Sequence, residues 1–163
     1  MNKPLNIEPR TLNSEQNEIG AARTNKSVDR RFDLEERLLE FASVVIDLTE
    51  KLPGTRAGNH IAGQLLRSGT SPYGNHGEAQ APESTEDFIH KMKICLKELR
   101  ESRRWLRLIA RKNWLSGDSQ LAFLLLEIDE LVRIFKASVQ TAERNRLANR
   151  PKGRRSNPVR ERA

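Results

Sequence analysis

Four stretches of the chain repeat apolar residues at three- and four-residue spacing, the period of a helix with one buried stripe, and none sustains the alternation of a strand. In the first, Leu34, Leu38, Phe41, Val45 and Leu48 share a face, which predicts a helix from about Asp33 to Lys51. Asp33 and Glu36 are spaced as a capping pair, Glu35 and Glu36 suit the positive end of the helix dipole, and Pro53-Gly54 ends the element. The second helix begins near Thr55 and carries Ile61, Leu65 and Leu66. Gly58, Gly63, Gly69, Gly74 and Gly77 weaken it, and Pro72 removes a backbone donor. The expectation is therefore a kink or break across Ser68 to Gly74, with helix resuming through Asn75, Glu78 and Ala79.

Ser84 with Asp87 reads as the N-cap of a third helix reaching about Asn113, with Phe88, Met92, Cys95, Leu99, Leu106 and Ile109 inside. A Ser116-Gly117-Asp118 turn leads to a fourth, about Ser119 to Arg146, which buries Leu121, Leu124, Leu125, Ile128, Leu131, Val132, Phe135 and Val139. Long helices joined by short turns predict an all-α fold, an antiparallel up-down-up-down four-helix bundle over residues 32–147. Residues 1–31 lack periodicity and read as a disordered N-terminal arm. After Leu147 the Pro- and Gly-containing run of residues 148–163 reads as a basic, disordered tail.

Charge changes this picture only through its placement. The formal net charge is +7 and the pI about 10.0, which points to a polyanionic partner. From Arg144 onward, eight basic residues stand against one acid, so the tail carries the whole excess and the rest of the chain is neutral. Any nucleic-acid argument for the bundle must rest on arrangement. At 100° per residue, Lys93, Lys97, Arg100, Arg104, Arg107 and Arg111 fall on one stripe of the third helix, roughly opposite its apolar face and about 27 Å long. Such a ridge of six cations suits the phosphates of a nucleic-acid backbone. The plainer alternative is a solvated face whose cations pair with Glu98, Glu101 or acids of a neighbouring helix.

Candidate chemistry is sparse. Cys95 is the single cysteine and sits on the apolar face between Met92 and Leu99, which makes it a core residue rather than a nucleophile. A di-iron bundle needs two Glu-x-x-His pairs, and only Asp87-x-x-His90 comes near. His60, His76 and His90 lie on different phases and read as solvated side chains. The glycines between Gly69 and Gly77 lack the Lys-Ser/Thr of a phosphate loop, and Glu127 and Glu130 read as solvated or paired with Arg133. The expectation is a protein with no catalytic residues, metal site, cofactor or small-molecule substrate. The first residues hold no apolar run of signal-peptide length, and the longest such run, Leu121 to Leu126, is too short for a bilayer. A cytoplasmic protein without a membrane partner is expected. Trp105, Leu108 and Trp114 fall off the main apolar face, either as an interface or as cover for the bundle's end.

The run Gln64-Leu65-Leu66-Arg67-Ser68-Gly69-Thr70-Ser71, then Asn75, Glu78-Ala79-Gln80, Asp87-Phe88-Ile89-His90-Lys91, Leu96-Lys97-Glu98, Glu101 and Trp105-Leu106 resembles the bacterial four-helix bundle family, also called the 23S rRNA intervening-sequence proteins. Phe41-Ala42, Leu52-Pro53, Glu127, Leu131 and Ile134 fit the same pattern, and the likeness covers Phe32 to Ala142. The resemblance implies a small antiparallel bundle with no established enzymatic activity. A related branch, the accessory variability proteins of diversity-generating retroelements, forms ring-like pentamers that bind RNA and a reverse transcriptase. The chain departs from the family pattern at Pro72 and Gly74. Ridge, tail and resemblance together predict a non-enzymatic module that binds RNA or a ribonucleoprotein, with homo-oligomerisation as a further expectation. The alternative is a self-assembling scaffold or adaptor whose ridge engages an acidic protein, anchored by Trp105 and Trp114.

Overall fold

The period of the apolar residues carries over into four helices and, among the described residues, no strand. The computed structural model describes residues 34–149, so the Asp33 cap, the arm over 1–31 and the tail from 150 onward lie outside the described residues. The helices are α1 Leu34–Glu50, α2 Arg56–Ala79, α3 Thr85–Arg111 and α4 Ser119–Ala148. Three start on side chains that accept the free amides of the first turn. Thr55 Oγ1 accepts from the Gly58 amide at 3.1 Å. Ser84 Oγ accepts from the Asp87 amide at 3.1 Å, while the Asp87 carboxylate accepts from the Glu83 amide. Asp118 Oδ1 accepts from the amides of Gln120 and Leu121. Gly117, at φ +78°, makes the left-handed step before that last cap.

The core is built from the residues the spacing selects: Leu38, Phe41, Val45 and Leu48 on α1, Leu65 on α2, Cys95, Leu99, Leu106 and Ile109 on α3, and Leu124, Ile128, Leu131 and Phe135 on α4. Burying each large side chain stabilises by roughly 1.5–3 kcal/mol, and these contacts supply most of the fold's driving force. Some positions differ from the sequence reading, Leu125 among them, which is only half-buried. Leu66 is exposed, and on α3 Ile89 is buried while Phe88 is only half-buried.

Of the kink or break expected in the second helix, the break is overturned. Helix α2 runs without interruption from Arg56 to Ala79 with Pro72 inside it. Its buried positions, Ile61, Leu65, Ser68, Gly69, Pro72, His76 and Ala79, keep one phase across the proline. Pro72 takes the hydrogen bond from the Ser68 carbonyl, at a cost of about 3 kcal/mol, and burial of the continuous face offsets that cost. Gly69 is also not a breaker here. A Cβ on it would lie 2.8 Å from Val45 Cγ1, so the glycine lets α1 and α2 approach.

Contacts along each seam run in opposite order on the two helices. Between α2 and α3, Arg67 pairs with Glu101, Ser68 with Ser102, the Pro72 carbonyl with Cys95, and Glu78 with Lys91. Between α3 and α4, Arg103 pairs with Asp129 and Lys93 with Glu143. Between α1 and α4, Arg37 pairs with Glu127, Asp47 with Gln120, and Lys51 with Asp118. Lys51 and the Leu121 amide hold the Asp118 carboxyl below its ordinary range.

His76 is a correction: it is buried at 5% exposure, not solvated. Its ring lies edge-on to Phe135 with centroids 6.0 Å apart, and its Nε2 is 3.0 Å from Gln80 Nε2. The helical phase of residue 76 matches Leu65 and Pro72, which is why the core claims it.

Candidate nucleic-acid interface

Helix α3 presents Met92, Cys95, Leu99 and Leu106 inward, and this orientation turns Lys93, Lys97, Arg100, Arg104, Arg107 and Arg111 outward. All six are exposed, in steps of three and four residues, so each charge lies about one helical turn from the next. The structure brings four of them together around one open groove of about 740 Å³, lined by Lys93, Lys97, Arg100 and Arg104 together with Leu96, Glu101, Trp105 and Val139. Arg107 and Arg111 continue the stripe beyond it.

The seam cations and the ridge cations are treated differently. Arg37, Lys51, Arg67 and Arg103 each hold a carboxylate of a neighbouring helix or of its cap. On the ridge, Lys93 holds Glu143 of α4 at 2.7 Å, and Lys97 stands 3.6 Å from Glu98. Arg100, Arg104, Arg107 and Arg111 have no carboxylate within ion-pair distance among the described residues. Glu101, a candidate partner from the sequence, instead binds Arg67 at 3.0 Å and accepts from Trp105 Nε1 at 3.4 Å. Lys93 pulls the Glu143 carboxyl below its ordinary range, so the pair persists in mild acid. Glu127 likewise pairs with Arg37 across the bundle and not with Arg133, which binds Glu130.

Cys95 is fully buried, and its Sγ lies 3.5 Å from the Pro72 carbonyl. Burial pushes the thiol up to about 12, far from a thiolate at neutral pH. Among the described residues, no three His, Cys, Asp or Glu side chains converge as metal ligands. No helix among them is long and apolar enough to cross a membrane.

Sequence reasoning found the ridge but not its surroundings. The partnership of Lys93 with Glu143, and the wall formed by Val139, depend on the register between α3 and α4, which no local pattern encodes. Trp105 had a signal, since it follows Arg104 directly and flanks the stripe. It stands on the α2 side of α3, with the His60 ring at 87° and a centroid distance of 6.3 Å. Trp114 is half-buried and Leu108 exposed near the end of α3, neither of them lining the groove.

A family model described as 23S rRNA-intervening sequence protein matches residues 30–137. Among solved structures, the chain is similar to a protein with unknown function from the S23 ribosomal protein family of Bacteroides thetaiotaomicron VPI-5482. The two are 30% identical with a TM-score of 0.59, over 65% of this chain and 97% of the other. No curated protein matches the chain.

Proposed function

Because the chain belongs to the 23S rRNA-intervening sequence protein family, we propose that it is a non-enzymatic module that binds RNA or a ribonucleoprotein along the α3 ridge. One observation carries the reading: Arg100, Arg104, Arg107 and Arg111 share one exposed stripe without a carboxylate partner among the described residues. Like charges one turn apart repel each other, a small standing cost that a polyanion relieves. Binding is electrostatic: the cations displace condensed counterions, and affinity falls steeply as salt rises. The basic C-terminal segment adds affinity without selectivity.

The test is a titration of a structured ribosomal RNA fragment at two salt concentrations. It compares the full chain, a chain ending at Leu147, and that shortened chain carrying Lys97→Glu/Arg100→Glu/Arg104→Glu. The reading expects the shortened chain to bind with strong salt dependence and the triple variant to lose both. Binding that depends on the C-terminal segment alone, or that survives the triple substitution, overturns it.

A second reading, a scaffold that holds an acidic protein on the ridge or assembles with itself, draws on a different face for the assembly. Leu39 and Ile46 on α1 and Leu66 and Tyr73 on α2 are between 36% and 46% exposed. By helical phase Leu66 and Tyr73 lie within about 60° of Gly69 on α2, while Leu39 and Ile46 share a line about 110° round α1 from Val45. A chain that stays monomeric by sedimentation at its highest soluble concentration ends the self-assembly form of this reading.

A further inference from the structure

A duplex and an unpaired strand offer different chemistry to a surface. The duplex presents phosphates and sugar edges with its bases stacked inside, whereas an unpaired strand presents phosphates and free base faces together. The groove on α3 carries both matching parts. Lys93, Lys97, Arg100 and Arg104 supply charge, and Leu96, Val139 and Trp105 supply apolar and aromatic surface. The lining crosses the helix, with Val139 contributed by α4 on one flank and Trp105 beside His60 of α2 on the other.

Trp105 is half-buried, and its Nε1 is engaged by Glu101, which fixes the ring's orientation. The His60 ring stands nearly perpendicular to it with centroids 6.3 Å apart, and the indole stays half-exposed in the groove lining. An oriented indole in the same groove as four cations is the combination that proteins use to hold single strands, with bases stacked on aromatic faces and phosphates on the basic track. We infer that the ridge takes an unpaired RNA segment, a loop, bulge or end, with one base seated against Trp105. The inference rests on the RNA-binding reading above and narrows it.

The experiment titrates the full chain, in a Trp114→Phe background so that Trp105 reports alone, with three probes carrying equal numbers of phosphates. These are an unpaired mixed-sequence RNA, its perfect duplex, and inorganic polyphosphate. The expected result is that the unpaired strand binds about tenfold more tightly than the duplex and quenches Trp105 emission. Trp105→Leu lowers affinity for the unpaired strand about tenfold and leaves polyphosphate binding unchanged. Trp105→Phe, which keeps an aromatic face, retains most of the affinity; if the leucine variant does not fold, the strand–duplex difference and the Trp105 quenching carry the test. Equal binding of strand and duplex, with no quenching and no effect of either substitution, overturns the base seat while leaving the ridge standing. Failure of both RNA forms to bind at moderate salt overturns the underlying reading with it.

Discussion

Gly69 of α2 faces Val45 of α1 so closely that a Cβ on the glycine would lie 2.8 Å from one valine methyl and 3.0 Å from the other. The two helices meet there without room for a side chain. Gly69→Ala is expected to destabilise the protein by about 1–3 kcal/mol through overpacking. In a double-mutant cycle with Val45→Ala, part of that loss is recovered. Gly63 and Gly74, on the same helix, have nothing within 4 Å of a built Cβ. There Ala removes unfolded-chain entropy, and each substitution is expected to add about 0.5–1 kcal/mol. Urea unfolding of the three single variants checks the opposite signs.

The buried hydroxyls of Ser68 and Ser102 meet at 2.9 Å between α2 and α3, with both side chains at 0% exposure. Removing one leaves the other with a weaker outlet, 3.5 Å from the Leu65 carbonyl in the case of Ser68. Ser102→Ala is expected to cost about 1–3 kcal/mol, and the double variant Ser68→Ala/Ser102→Ala less than the sum of the singles. Thermal unfolding of the three variants reads this directly.

The Cys95 thiol, raised by burial from an ordinary 9.0 to about 12, links stability to alkaline pH. The folded state holds the proton more tightly than the unfolded chain does. Its contribution is therefore complete below about pH 9 and declines as pH rises toward 12, by at most about 1.4 kcal/mol per pH unit. A Cys95→Val variant is expected to lose that part of the decline in unfolding midpoint between pH 9 and 11. At pH 8 the native thiol is also expected to resist a disulfide reagent that labels the unfolded chain at once.

Glu143 occupies Lys93 at one end of the ridge. An incoming phosphate must displace it, so Glu143→Gln is expected to raise RNA affinity about two- to fivefold and steepen the salt dependence slightly. The same titrations as for the ridge variants measure this. Unchanged affinity would place the bound RNA away from Lys93.

Much of the fold was legible because its core follows the helical period without slips. Leu38, Phe41, Val45 and Leu48 on α1, and the α4 series from Leu121 to Val139, are buried where the spacing put them, Leu125 alone staying half-buried. The caps at Thr55, Ser84 and Asp118 mark starts that local chemistry writes plainly. Helix α2 was misjudged for one physical reason: glycine and proline report intrinsic propensity, and tertiary packing overrode it. Gly69 answers to the close approach of α1, information that resides in Val45, far away in sequence, and Pro72 lies on the buried face of the same helix. The ridge was visible as a stripe of one sign. Its vacancies were not, because Glu101 was equally placed in sequence to neutralise it, and only Arg67 across the seam decides where that carboxylate goes.

The isolation of Arg100, Arg104, Arg107 and Arg111 from both core and seam also has an evolutionary consequence. Side chains that neither pack nor pair are under no selection for folding, so mutation can erase them without unfolding the bundle. Drift alone would scatter these four positions among relatives within the same helical scaffold. Where lineages keep arginine or lysine there, the retention records a ligand's pressure, and where a lineage loses all four together, its bundle has changed partners while keeping its shape.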